Sequence, residues 1–166
     1  MNHNIKSNRG MYVEEIIART CEYYSVNNIA LIEKRQLPIK IVKNINNNMV
    51  VGKLLSRSTI DYSGVYHGFH IEFEAKQTNE LFLSLSLLKL HQITHMQNLC
   101  EFNVNPFLIV YMEHYDKFFL VDFRWLFDKI AQIGKKQVSY EVLSQECQSL
   151  VIEHPGIINF IKYLKH

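Results

Sequence analysis

From Met11 onward, Val13, Ile16, Ile17, Thr20, Cys21 and Tyr24 recur at i, i+3 and i+4 intervals, which predicts an amphipathic helix. The residues before it show no apolar pattern, and 1–9 read as a mobile N-terminal arm. A short apolar run at 29–32 predicts a strand. Between 36 and 51, Pro38, β-branched residues and three asparagines at 46–48 predict two extended arms around a polar turn, protruding instead of packed. Two alternating segments then flank His67 and Gly68, a two-residue hairpin turn in which glycine accepts φ > 0. Residues 81–100 hold few turn formers and a helical stripe of Leu85, Leu88, Ile93, Met96 and Leu99. The nearly continuous apolar run at 106–112 predicts a central strand covered on both faces. A polar turn at 113–117, a strand at 118–123 and a helix at 124–133 stopped by Gly134 follow. Ile157, Phe160, Ile161 and Leu164 predict a last amphipathic helix. With no repeat and no linker in the pattern, 10–166 are expected to form a single α/β domain around a mixed sheet.

Composition narrows the setting. A chain of 166 residues, 48% hydrophobic and 20% charged, has the make-up of a soluble globular domain with a real core. Cys21, Cys100 and Cys147 are scattered and form no C-x-x-C pair, which argues against a disulfide framework or thiolate zinc site and for a reducing cytoplasm. No apolar run reaches the roughly 18 to 20 residues of a membrane span. The start, MNHNIKSNRG, has no apolar leader core, so a cytoplasmic protein without a membrane anchor is expected. The net charge of +2 says little, but Lys34, Arg35, Lys40, Lys43, Lys53 and Arg57 share one stretch with a single acidic residue, Glu33. Such a stretch suits a polyanion, and a solvated face with chance clustering stands equally open.

The hairpin carries the candidate chemistry. A turn at His67 and Gly68 makes the numbers of directly opposed residues add to 135, so Asp61 faces Glu74 and Thr59 faces Lys76. Opposed residues share a face of the sheet, with Cβ atoms about 4.5–5.5 Å apart. Alternation puts Ile60, Tyr62, Tyr66, Ile71, Phe73 and Ala75 on a core face and Thr59, Asp61, Ser63, Glu72, Glu74 and Lys76 on the other. Two opposed carboxylates repel, and a hard cation relieves them; oxygen-only donors point to Mg²⁺ or Mn²⁺ over zinc. Lys76 projects into the same place, which suits phosphodiester hydrolysis at Asp61, Glu74 and Lys76. By spacing alone, a surface salt-bridge ladder among these three is the commoner arrangement. Gln92 falls on the apolar stripe of the following helix, where a carboxamide needs a partner: a cation at the hairpin mouth, or a backbone group. His91 and His95 stand at i, i+4, a zinc-capable spacing that lacks a third ligand, so packing or a phosphate contact is favoured. Glu14 could reach the same region or simply form a salt bridge.

The blocks RGMYVEEII, STIDYSGVYHGFHIEFEAKQT and LHQITHM, in that order, resemble RecU, the bacterial Holliday-junction resolvase family. The resemblance runs from about Asn8 through the strands at 106–112 and 118–123. It implies a restriction-endonuclease-like core, with a mixed central sheet flanked by helices, a protruding stalk at about 36–56, and a homodimer. It further implies Mg²⁺-dependent paired nicks across a four-way DNA junction, with Mn²⁺ as a substitute metal and a recombinase as a further partner. By position, Thr59, Asp61, Glu74 and Gln92 would be the metal ligands and Lys76 the transition-state stabiliser. The stalk lies on the basic stretch, which makes Lys40, Lys43, Lys53 and Arg57 the expected DNA contacts. A duplex endonuclease of the same fold and a non-catalytic protein that binds branched DNA are the competing functions.

Overall fold

The stripe from Val13 to Tyr24 becomes helix α1 (Met11–Val26), with Val13, Ile16, Ile17, Thr20 and Tyr24 all buried. The computed structural model describes residues 11–55 and 59–164; the expected arm at 1–9 and Arg57 lie outside the described residues. Next come β1 (Leu31–Lys34), β2 (Ile39–Asn46) and β3 (Met49–Leu54), then the hairpin strands β4 (Tyr62–Tyr66) and β5 (Phe69–Thr78). A short β6 (Phe82–Ser84) leads through a 3₁₀ turn to α2 (Leu90–Glu101), followed by β7 (Phe107–Met112) and β8 (Lys117–Asp122). The chain closes with α3 (Phe123–Ile133), β9 (Gln137–Ser139), α4 (Tyr140–Glu146), β10 (Gln148–Leu150), β11 (Ile152–Glu153) and β12 (Ile157–Ile158).

Six strands form one sheet in the order β1-β4-β5-β7-β8-β10. Neighbours are antiparallel except β5 and β7, which run parallel because β6 and α2 carry the chain across between them. All six residues of β7 are buried, as its apolar run predicts for a strand covered on both faces. On one face Ile16, Ile17 and Tyr24 of α1 meet Tyr62, Phe73 and Phe107, with Phe160 from the C-terminal segment. On the other, Met96 of α2 and Leu126 of α3 cover Leu108, Val110 and Val121. Thr20, wholly buried in α1, donates to the Ile16 carbonyl (2.8 Å) and accepts from the Ile158 amide (3.1 Å), which ties the helix to β12. The expected class, α/β with a mixed sheet flanked by helices, is what the chain builds.

The ribbon β2–β3 stands apart: every one of its residues is exposed, as the two arms around a polar turn predict. Three elements differ from the sequence pattern. Within 81–100, Leu85 and Leu88 do not belong to the helix, because Phe82–Ser84 pairs with Gln137–Ser139 and delays the helix to Leu90. The strand expected at 29–32 begins at Leu31, with Ile29 and Ala30 packed in the loop before it. The last amphipathic helix is absent among the described residues. Ile157 and Ile158 pair with Glu153 and Ile152 instead, and Phe160 and Ile161 are buried in a 3₁₀ turn.

Candidate functional site

The hairpin turns at His67 (φ 48°) and Gly68 (φ 83°), and the ladder runs Tyr62↔Phe73, Ser63↔Glu72, Gly64↔Ile71, Val65↔His70 and Tyr66↔Phe69. Every pair obeys the register read from the turn. The ladder stops at Tyr62, so Asp61 is not paired with Glu74 as a strand residue. Its backbone N–H instead donates to Glu74 Oε2 (3.0 Å), while its carbonyl accepts from the Arg35 amide (2.8 Å) and extends the β1–β4 pairing. This departure carries Ile60 through the sheet edge into the cluster beneath α2, away from the α1 face on which alternation placed it.

Glu72, Glu74 and Lys76 lie on the α2 face of β5, as expected, but they form no surface ladder. Glu74 is 1% exposed. Its Oε1 accepts from Lys76 Nζ (2.6 Å) and from Gln92 Nε2, and Oε2 takes the Asp61 amide. Burial pushes the Glu74 carboxyl up to about 7; Lys76 pulls it down and Asp61 pushes it further up. A buried carboxylate held this close to the neutral form beside a second carboxylate is short of positive charge. The oxygen donors of Asp61 and Glu74 therefore fit a hard divalent cation.

The other two expected ligands already hold hydrogen bonds. Thr59 Oγ1 accepts from Arg35 Nη1 (3.1 Å). Gln92, buried on the first turn of α2, turns its carboxamide nitrogen toward Glu74 and uses its oxygen to accept the Lys89 amide (3.0 Å). An amide ligates metals through oxygen, so Gln92 would have to turn over and release that amide.

Sequence reasoning counted Arg35 only in the basic stretch and gave Glu72, on the chemical face of the hairpin, no role. Glu72, 3% exposed, accepts from the Arg35 guanidinium, and its oxygens lie 2.8 Å from His70 Nε2 and 2.6 Å from His95 Nε2. The one available signal was a further carboxylate on the alternation face that also carries Glu74 and Lys76. His95 thus meets a carboxylate, in place of the packing or phosphate contact expected for it. Glu14 is half-exposed and pairs with Lys34 (2.6 Å). The stalk residues Lys40, Lys43 and Lys53 lie on the β2–β3 ribbon, where Lys40 stands directly opposite Lys53. Among the described residues no helix is long and apolar enough to cross a membrane.

The chain matches the family model RecU, described as recombination protein U, over residues 8–166. It is 32% identical over 157 residues to the Holliday junction resolvase RecU of Ureaplasma parvum, spanning 95% of this chain and 92% of that protein. It is 34% identical over 167 residues to the protein of the same name from Bacillus cereus strain B4264, with 95% and 84% covered. Among solved structures, Archaeoglobus fulgidus Hjc, a Holliday junction resolvase, superposes with a TM-score of 0.43 at 9% identity, covering 80% of this chain and 92% of that one.

Proposed function

The chain belongs to the RecU family, recombination protein U, and from that membership we propose that it is a Holliday junction resolvase, a divalent-metal-dependent nuclease that nicks four-way DNA junctions in recombination and repair. The observation that carries the catalytic part of this reading is the buried Glu74 carboxylate with Lys76 at 2.6 Å and Asp61 beside it. A structural surface pair has no need to place a carboxylate at 1% exposure next to a second one.

Asp61 and Glu74 would hold Mg²⁺, or Mn²⁺ in its place, joined by Thr59 and by the Gln92 oxygen once that carboxamide turns. When bound, the cation supplies Lewis acidity toward water and the scissile phosphate and offsets the charge of both carboxylates. Glu74 must then be ionised, which its own burial opposes until a cation arrives. Lys76, released from full engagement with Glu74, is the donor available to charge that develops on the phosphate. Gln92, at the start of α2, closes the site from above and excludes solvent from the buried carboxylate.

The substrate side is served by the ribbon. Lys40 and Lys53, paired across β2–β3, repel each other in the free protein, and a phosphate backbone relieves that repulsion. Lys43 stands on the same ribbon, and Arg57 follows it in sequence. A homodimer of such subunits would present one site to each of two like strands of a two-fold symmetric junction.

The test is cleavage of a synthetic four-way junction with Mg²⁺, beside linear duplex of the same sequence. Symmetric nicks in the junction alone are expected, and Asp61→Ala should bind the junction without cutting it. Equal cutting of linear duplex would replace the resolvase with a general endonuclease, and full cutting by Asp61→Ala would dismiss this site.

A further inference from the structure

Glu72 sits two residues before Glu74 on the same face of β5, and no step above uses it. A carboxylate at 3% exposure needs partners, and the Arg35 guanidinium supplies a cationic one. His70 on the same oxygen and His95 on the other fix the direction of the carboxylate.

What these partners hold is informative. Arg35 grips Glu72 with one guanidinium nitrogen, gives the other to Thr59 Oγ1 (3.1 Å), and donates its backbone N–H to the Asp61 carbonyl (2.8 Å). His95 lies on α2 one turn after Gln92, so its bond to Glu72 (2.6 Å) sets the height of that helix above β5. Glu72 therefore connects to each segment that presents a proposed ligand: 59–61 through Arg35, α2 through His95, and Glu74 along its own strand. The 59–61 segment needs such support, because the β4–β5 ladder ends at Tyr62. One tie of this segment to β5 is the Asp61 amide on Glu74 Oε2, an oxygen that a cation would claim.

We infer that Glu72 is a positioning residue of the nuclease site, acting through Arg35 and His95 to keep Asp61 and Gln92 in place once Glu74 turns to a divalent cation. The inference rests on the nuclease reading. A carboxylate or guanidinium behind the ligands commonly tunes metal affinity by about ten- to a hundredfold.

The experiment measures Mg²⁺ uptake by calorimetry without DNA, junction binding in chelator and junction cleavage across a Mg²⁺ series. The proteins are full-length wild type, Glu72→Gln, Arg35→Lys and the double variant. Each single variant should bind Mg²⁺ about ten- to a hundredfold more weakly, bind the junction as wild type does, and recover cleavage at high Mg²⁺. The double variant should lose less than the two single losses combined, because both break the Arg35–Glu72 contact. Unchanged Mg²⁺ affinity with a lowered melting temperature would reduce Glu72 to a structural role and overturn the inference. Weakened junction binding with unchanged Mg²⁺ affinity would make Arg35 a phosphate contact and overturn it equally. If Glu72→Gln does not fold, Arg35→Lys carries the same comparison, since its side chain is 32% exposed. A wild type that takes up no Mg²⁺ removes the nuclease reading and the positioning role with it, an outcome distinct from failure of the variants alone.

Discussion

Replacing Glu74 by glutamine should flatten the pH dependence of the metal-free fold, and by an amount the structure sets. Burial raises this carboxyl from its ordinary 4.5 to about 7, with Lys76 lowering it and Asp61 raising it further. A group whose folded value is raised binds its proton more tightly in the native state. Its favourable contribution is therefore complete below about 4.5 and is lost as the pH climbs through about 7. That displacement corresponds to about 3 kcal/mol between pH 4.5 and 8, with ionised Glu74 as the costly form. Glutamine keeps the shape and does not titrate; its single carbonyl oxygen replaces one of the two accepting oxygens, a cost that is the same at every pH. Urea denaturation of both proteins in chelator at pH 5, 6, 7 and 8 measures the effect. The stability of wild type relative to Glu74→Gln should fall by about 2–3 kcal/mol across that range. Adding Mg²⁺ at pH 8 should restore wild type and leave the variant unmoved. A difference flat to within about 0.5 kcal/mol from pH 5 to 8 would refute the claim that burial strains this carboxylate.

Two further outcomes are expected. Lys40→Gln combined with Lys53→Gln should weaken junction binding and lower the dependence of log Kd on log salt by about 2, one for each lost phosphate contact, as titrations at several salt concentrations would show. Gly64→Ala should destabilise the protein by at least about 1–3 kcal/mol in urea melts, because a Cβ there would lie 2.2 Å from the Leu31 carbonyl and push β1 off the sheet.

The site was legible in the sequence where local chemistry decides geometry. His67 and Gly68 supply the two positive φ angles of the turn, and a two-residue turn fixes the register of everything paired beyond it. Alternation then put Glu72, Glu74 and Lys76 on one face, and the stripe through Met96 put Gln92 above them. Legibility ended where the ladder did. Nothing in the spacing says that pairing stops at Tyr62, that Asp61 turns to Arg35, or that Ile60 crosses to the other core. Arg35 and Glu72 are 37 residues apart, and Glu72 and His95 are 23 apart. Periodicity reports burial, not which buried polar groups meet. Leu85 and Leu88 misled for the same reason: they are apolar at helical spacing, yet a distant strand at Gln137–Ser139 claims the residues before them.

The β2–β3 ribbon has a consequence for handling the protein itself. Ile39, Ile41, Val42, Ile45, Met49, Val50 and Val51 are all exposed on it, and among the described residues neither of its outer edges is paired with another strand. An open-edged, β-branched ribbon is a template for strand-to-strand aggregation, and lysines are the usual guard against it. Lys40, Lys43 and Lys53 thus keep free molecules apart by the charge that also suits them to phosphate. At about 1 M salt, where screening acts within about 3 Å, that guard is lost, so the DNA-free protein should be least soluble in the conditions that strip nucleic acid from it.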